Sequence, residues 1–177
     1  NPITSRDPRI AEMRAKADKL LGHSRIPEDK MNLMIRCLLW IKDIFERDRI
    51  DAGGIHCWTT FEQYFQIVPC TFSSLSASLL GKPLVCETDI CHAIMCRLAW
   101  AMTGEPGVIL DLNNPGWDPR VSSLFHCSQT PAEWISGKGE TAEQIIIEGD
   151  PNAGKGNAFG AISGDMAPLA FTGVSAA

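Results

Sequence analysis

The chain has 177 residues, 45% hydrophobic and 21% charged, enough apolar material for a folded domain with a sizeable core. Its 16 basic and 21 acidic residues give a net charge of -5 and no basic block able to track a phosphate backbone, which argues against nucleic acid as a partner. No apolar run approaches the ~20 residues that cross a bilayer, and nothing at the start has the charged-then-apolar form of a signal segment, so no membrane partner is expected.

Seven cysteines, an odd number, sit mostly inside apolar stretches where the residue acts as a small hydrophobe. A reducing, cytoplasmic setting is therefore expected. The chain opens on Asn1-Pro2 and closes on Ser175-Ala176-Ala177 within a glycine-rich stretch, which suggests a piece of a longer protein.

Apolar and charged residues alternate with helical spacing from Asp7 to Leu21 and from Pro27 to about Phe45. The second stretch aligns Met31, Met34, Leu38, Ile41 and Phe45 on one stripe, read as core. Beyond Asp51 short apolar runs alternate with helix-length segments. Four strand ends are predicted: Gly54-Ile55 before His56-Cys57-Trp58, Leu84-Val85-Cys86 before Glu87, Val108-Ile109-Leu110 before Asp111, and Ser123-Leu124-Phe125 before His126. Thr88 to Thr103 reads as a buried crossover helix, stopped by Gly104 with Pro106 just beyond.

The pattern predicts an α/β fold over residues 1–136, a parallel sheet of strand-helix-strand units with flanking helices. From residue 137 to 177 the composition turns glycine-rich, with strands expected at Ala142 to Glu148, Phe159 to Ile162 and Leu169 to Thr172. This second segment reads as the incomplete beginning of a β-rich domain.

In such sheets ligands bind beyond the carboxyl ends of the strands, and three of the four predicted ends run into Glu87, Asp111 or His126. Two carboxylates and an imidazole suit a divalent cation held by hard oxygens and one nitrogen, Mn²⁺ or Mg²⁺ better than zinc. An ordinary structural reading stands beside this one. Glu87 would favour the N-terminus of the following helix, Asp111 would start a turn with Asn113-Asn114-Pro115, and His126 would be a satisfied core histidine.

Trp58 and Trp117 lie near strand ends, where an aromatic face can cover a sugar's C–H surface, and Gln129 is a candidate hydroxyl contact. Gly149 to Lys155 imitates the start of a phosphate loop, but Gly156 stands where Ser or Thr is required and no helix is predicted to follow. Cys86, Cys91 and Cys96 recur every five residues, which spreads them around a helix and reads as core rather than a zinc site.

Three motifs in order, Cys86-Glu87-Thr88-Asp89, Leu110-Asp111-Leu112-Asn113 and Phe125-His126-Cys127-Ser128-Gln129-Thr130-Pro131, resemble those of the L-fucose and L-arabinose isomerase superfamily. The similarity covers roughly Asp51 to Trp134, including the approach through Thr59-Thr60-Phe61-Glu62 and Pro69 to Gly81, and continues weakly through Gly160 to Gly164. The resemblance implies a middle domain and the start of a C-terminal domain of a metal-dependent aldose–ketose isomerase. Glu87 and Asp111 would bind the metal and exchange protons, His126 would help coordinate, and the protein would be a homo-oligomer acting on a sugar. Cys127-Ser128-Gln129 departs from the glycine-containing form of relatives, and the substrate's identity stays open with it. A non-catalytic sugar-binding chain and another metal-dependent lyase or hydrolase are the rival readings.

Overall fold

The computed structural model describes residues 3–114, 123–126, 130–143 and 159–166. Helix α1 (Arg9–Leu20) leads into strand β1 (Leu21–Ser24), followed by the long helix α2 (Glu28–Arg47). Pro27, with φ fixed near its helical value, opens α2, and Glu28 and Asp29 in its first turn complement the helix dipole. The predicted stripe is the core: Met31, Met34, Leu38, Ile41 and Phe45 are all buried. Each fully buried aliphatic side chain of this size contributes about 1.5–3 kcal/mol. Arg9 joins α1 to α2 by bonding the Asp43 carboxylate at 2.7 and 3.1 Å.

Next come strand β2 (Gly53–Gly54), a π-helical turn (Cys57–Phe61), the short helix α3 (Glu62–Phe65), helix α4 (Cys70–Leu80) and strand β3 (Leu84–Val85). Strands β2 and β3 pair in parallel, Gly53 opposite Leu84 and Gly54 opposite Val85, with the helical segment forming the crossover between them. The described fold is thus α/β with a small parallel pair. Helix α4 ends at Gly81, whose φ of 64° gives the left-handed cap that glycine adopts without steric cost. The first eight residues of α4 are buried, three serines and a threonine among them.

Helix α5 (Ile90–Thr103) follows β3 and stops at Gly104, as its sequence predicts. It is not the buried crossover expected of an apolar helix. Only Ala93 and Cys96 are buried, against Val85 and Ile109, while Ile90, Ile94, Met95, Leu98 and Met102 are 47–67% exposed. Among the described residues no second layer covers its outer side, so its apolar composition does not translate into burial. Of the three cysteines read as core, Cys86 and Cys96 are buried and Cys91 is exposed.

Strand β4 (Asp111–Asn114) pairs antiparallel with β5 (Ser123–Phe125), rather than adding to a parallel series. The apolar run Val108 to Leu110 is not the strand itself. Ile109 packs into the cluster of Val85, Ala93 and Cys96, and a Cβ on Gly107 would come within 2.9 Å of the Cα of Cys96. The run is held against α5, so strand pairing starts at Asp111.

Strand β6 (Ile135–Glu143) begins earlier than the expected Ala142 and pairs in parallel with β1 and antiparallel with β7 (Phe159–Met166), giving the order β1-β6-β7. The strand expected at Phe159 to Ile162 lies within β7. The expected strand at Leu169 to Thr172 and the loop-like Gly149 to Lys155 lie outside the described residues. No helix among the described residues is long and apolar enough to cross a membrane.

Candidate active site

Beyond β3 the chain makes an unusual turn. Glu87 and Thr88 both have left-handed backbone, at φ 58° and 57°, a conformation costing roughly 1–3 kcal/mol at a non-glycine residue. Its neighbours hold it there. The Ile55 amide extends the β2–β3 ladder by donating to the Val85 carbonyl at 2.8 Å, and the Thr88 amide donates back to the Ile55 carbonyl at 3.1 Å. The Glu87 amide donates to Cys57 Sγ at 3.2 Å, and the Asp89 amide to the Cys86 carbonyl at 3.2 Å. Gly54 fits beneath, since a Cβ there would stand 3.1 Å from the Thr88 Cα.

The turn delivers Asp89 to the start of α5. Its carboxylate accepts from the His92 amide at 3.0 Å and meets His92 Nδ1 at 2.6 Å, capping the helix in the manner of Asp at an N-cap. The His92 amide bond, followed by the bond to the His92 ring, holds the Asp89 carboxyl below its ordinary pKa. That stabilisation is present above the usual carboxylate range and is lost as pH falls through the depressed value. Asp89 thus takes the helix-start position that the structural reading assigned to Glu87, whose own side chain is exposed.

His126, directly after β5, is half-buried and places Nε2 at 3.4 Å and Nδ1 at 4.0 Å from Cys86 Sγ. Across the β4–β5 pair Asp111 stands opposite Phe125, the residue before His126. Glu87 is therefore joined to His126 through its neighbour Cys86, and His126 to Asp111 through its neighbour Phe125. Asp111 opens its strand instead of following it, opposite the last residue of β5.

Trp58 lies in the π-helical turn after β2, a helix form often found at functional sites. Trp117 and Gln129 lie outside the described residues, as do Cys127 and the side chain of Asp111. Among the described residues no group of three His, Cys, Asp or Glu is arranged to hold a metal. Grooves of about 490 Å³ beside α1 and about 200 Å³ beside Lys82 are lined by none of the three candidate residues.

The sequence reading did not single out Cys57 and Cys86 as neighbours of the site. The available signal was their position, Cys86 one residue and Cys57 three residues beyond the ends of the paired strands β3 and β2.

Over 70 residues the chain is 31% identical to mannitol 2-dehydrogenase of Cereibacter sphaeroides, a stretch covering 40% of this chain and 14% of that protein. No family model matches the chain, and no solved structure matches it.

Proposed function

We propose that this chain supplies the metal-binding and proton-transferring residues of a metal-dependent aldose–ketose isomerase acting through an ene-diol, in the cytoplasm and as a homo-oligomer. The observation that carries the reading is the 3.4 Å approach of His126 to Cys86, which links the segment bearing Glu87 to the β4–β5 pair bearing Asp111.

The donor set fits Mn²⁺ or Mg²⁺: two carboxylates give hard oxygens and the imidazole gives one nitrogen, leaving room for a sugar's hydroxyls. When bound, such a cation would neutralise the negative charge that develops on two neighbouring sugar oxygens. The exposed Glu87 carboxylate can reach an open-chain sugar from solvent. In this reading one of Glu87 and Asp111 takes the proton from the carbon beside the carbonyl, and a carboxyl group returns a proton to the former carbonyl carbon. The electrons of the broken C–H bond form the ene-diol double bond while the carbonyl oxygen gains a proton, and the neighbouring hydroxyl then gives up its proton as it becomes the new carbonyl, so no oxidant or reductant is consumed. Trp58 and Trp117 would cover the sugar's C–H face and Gln129 would meet a hydroxyl.

Incubating the protein carrying this sequence with Mn²⁺ or with Mg²⁺ and a panel of aldoses in D₂O tests the reading. Deuterium at the carbon beside the carbonyl, with ketose formed and both abolished by chelator, is the expected result. Ketose-free, exchange-free incubations with every aldose and with both metals would overturn it.

A further inference from the structure

We propose that two buried thiols position this site, Cys86 by fixing the imidazole of His126 and Cys57 by holding the backbone amide of Glu87 in its left-handed turn. The proposal rests on the isomerase reading only for what the positioned groups are used for.

Both cysteines are 4% exposed, so neither sulfur is presented to solvent as a nucleophile. Packing alone would be served by any small apolar side chain. What distinguishes these two is that each sulfur lies within hydrogen-bonding reach of a polar group belonging to a candidate site residue. Cys86 Sγ is 3.4 Å from His126 Nε2, and Cys57 Sγ accepts the Glu87 N–H at 3.2 Å.

A thiol is a weak donor and a weak acceptor, so Cys86 can engage either tautomer of the imidazole. Cys86 Sγ stands 3.4 Å from Nε2 and 4.0 Å from Nδ1, so the thiol bears on the orientation of the ring and on which nitrogen carries the proton, the two properties that the outer partners of a metal-binding histidine control. On the other side, Glu87 and Thr88 form two consecutive left-handed residues, neither of them glycine. Such a turn persists only where its surroundings over-determine it. The Cys57 bond acts on the first of the two residues, and the Ile55 carbonyl acts on the second at 3.1 Å. Cys57 is also the first residue of the π-helical turn that carries Trp58, so one side chain ties the β2 exit to the β3 exit.

The test uses the full chain with Cys86→Ala, Cys86→Ser and Cys57→Ala. Without metal, ¹⁵N spectra of the His126 ring, assigned against His126→Gln, should change tautomer balance in Cys86→Ala and return toward the parent pattern in Cys86→Ser, whose hydroxyl can again donate or accept. Amide exchange at Glu87 should speed up in Cys57→Ala while amides of α2 stay protected. Titration with Mn²⁺ alone, followed by the spin signal of the free ion, should show roughly 10–100-fold weaker binding in Cys86→Ala and a smaller loss in Cys86→Ser. If Cys86→Ala does not fold, Cys86→Ser and Cys57→Ser carry the comparison. An unaltered His126 ring pattern together with an unaltered Glu87 exchange rate would overturn the proposal. A parent chain that binds no Mn²⁺ would count against the isomerase reading, whereas the ring and amide signals still decide the roles of the thiols.

Discussion

Gly54, the last residue of β2, supports the backbone of Thr88: a Cβ there would lie 3.1 Å from the Thr88 Cα and 3.2 Å from its carbonyl carbon. The obstacle is backbone, which cannot swing aside as a side chain can, and Ile90 Cδ1 closes the same space at 3.2 Å. Gly54→Ala should therefore destabilise the fold by about 1–3 kcal/mol, the usual cost of overpacking. A urea titration checks it, through a lower midpoint with unchanged slope. The same substitution should disturb the Glu87 amide resonance, because Thr88 cannot move without its neighbour.

Glu87→Gln keeps the shape of the side chain and removes its ability to take a proton or neutralise a cation. The backbone bonds of the turn and the Cys57 contact do not involve the carboxylate, and an amide keeps the size of the side chain, so the chain should remain folded. Turnover of the responsive aldose should fall by at least ~10²-fold, the scale of a lost general acid or base. Turnover within about twofold of the parent would remove Glu87 from the proton-transfer step.

Helices α1, α2 and α5 were legible because their signals are local: an apolar stripe in α2, Pro27 at its start, and Gly104 at the end of α5. The exit of β3 was legible for a similar reason, since Leu84-Val85-Cys86 is a short apolar run broken by a charged residue. Strand pairing was not. Leu21–Ser24 carries no strand signal, yet its residues pair with Gly139 and Thr141, more than a hundred positions away. Val108 to Leu110 looks like a strand, but its apolar character serves packing against Cys96, and the neighbouring Asp111–Asn114 pairs instead. The left-handed turn was hidden because neither Glu87 nor Thr88 advertises positive φ. An apolar helix such as α5 likewise says nothing of which layer, if any, lies over it.

Three buried hydroxyls, Thr71 Oγ1 and Ser73 Oγ in α4 and Thr141 Oγ1 in β6, make no hydrogen bond among the described residues. A buried polar group left unpaired costs about 1–3 kcal/mol. Thr71→Val keeps the branching and removes the hydroxyl, and the two residues have similar helix propensity. It should leave stability unchanged or raise it by about 1 kcal/mol, read as a higher urea midpoint. Ser76 is the control: its hydroxyl donates to the Lys82 carbonyl at 2.8 Å, so Ser76→Ala should destabilise. A clear loss of stability in Thr71→Val would show that its hydroxyl is bonded.

Burial pushes the thiols of Cys37 and Cys96 up to about 11, in Cys37 against a smaller opposing effect of the Arg36 charge, whereas Cys91 on the outer side of α5 is exposed. The thiolate is the species that alkylates. At pH 8 each of these two thiols, at about 11, carries roughly 100-fold less thiolate than it would at its ordinary value of 9.0, and the enclosing side chains slow the reagent further. Iodoacetamide at pH 8 should therefore modify Cys91 well before Cys37 or Cys96, as peptide mapping of the labelled chain would show. The same shifts set a sign for stability. Both groups have a folded pKa above the unfolded one, so their contribution is fully present below pH 9 and is lost as pH rises toward about 11. Urea midpoints should fall over that interval in the parent, and fall less in Cys37→Ala, which starts from a lower midpoint but has lost one of the two titrating groups. Equal alkylation rates for all three cysteines in the folded chain would show that Cys37 and Cys96 are open to solvent.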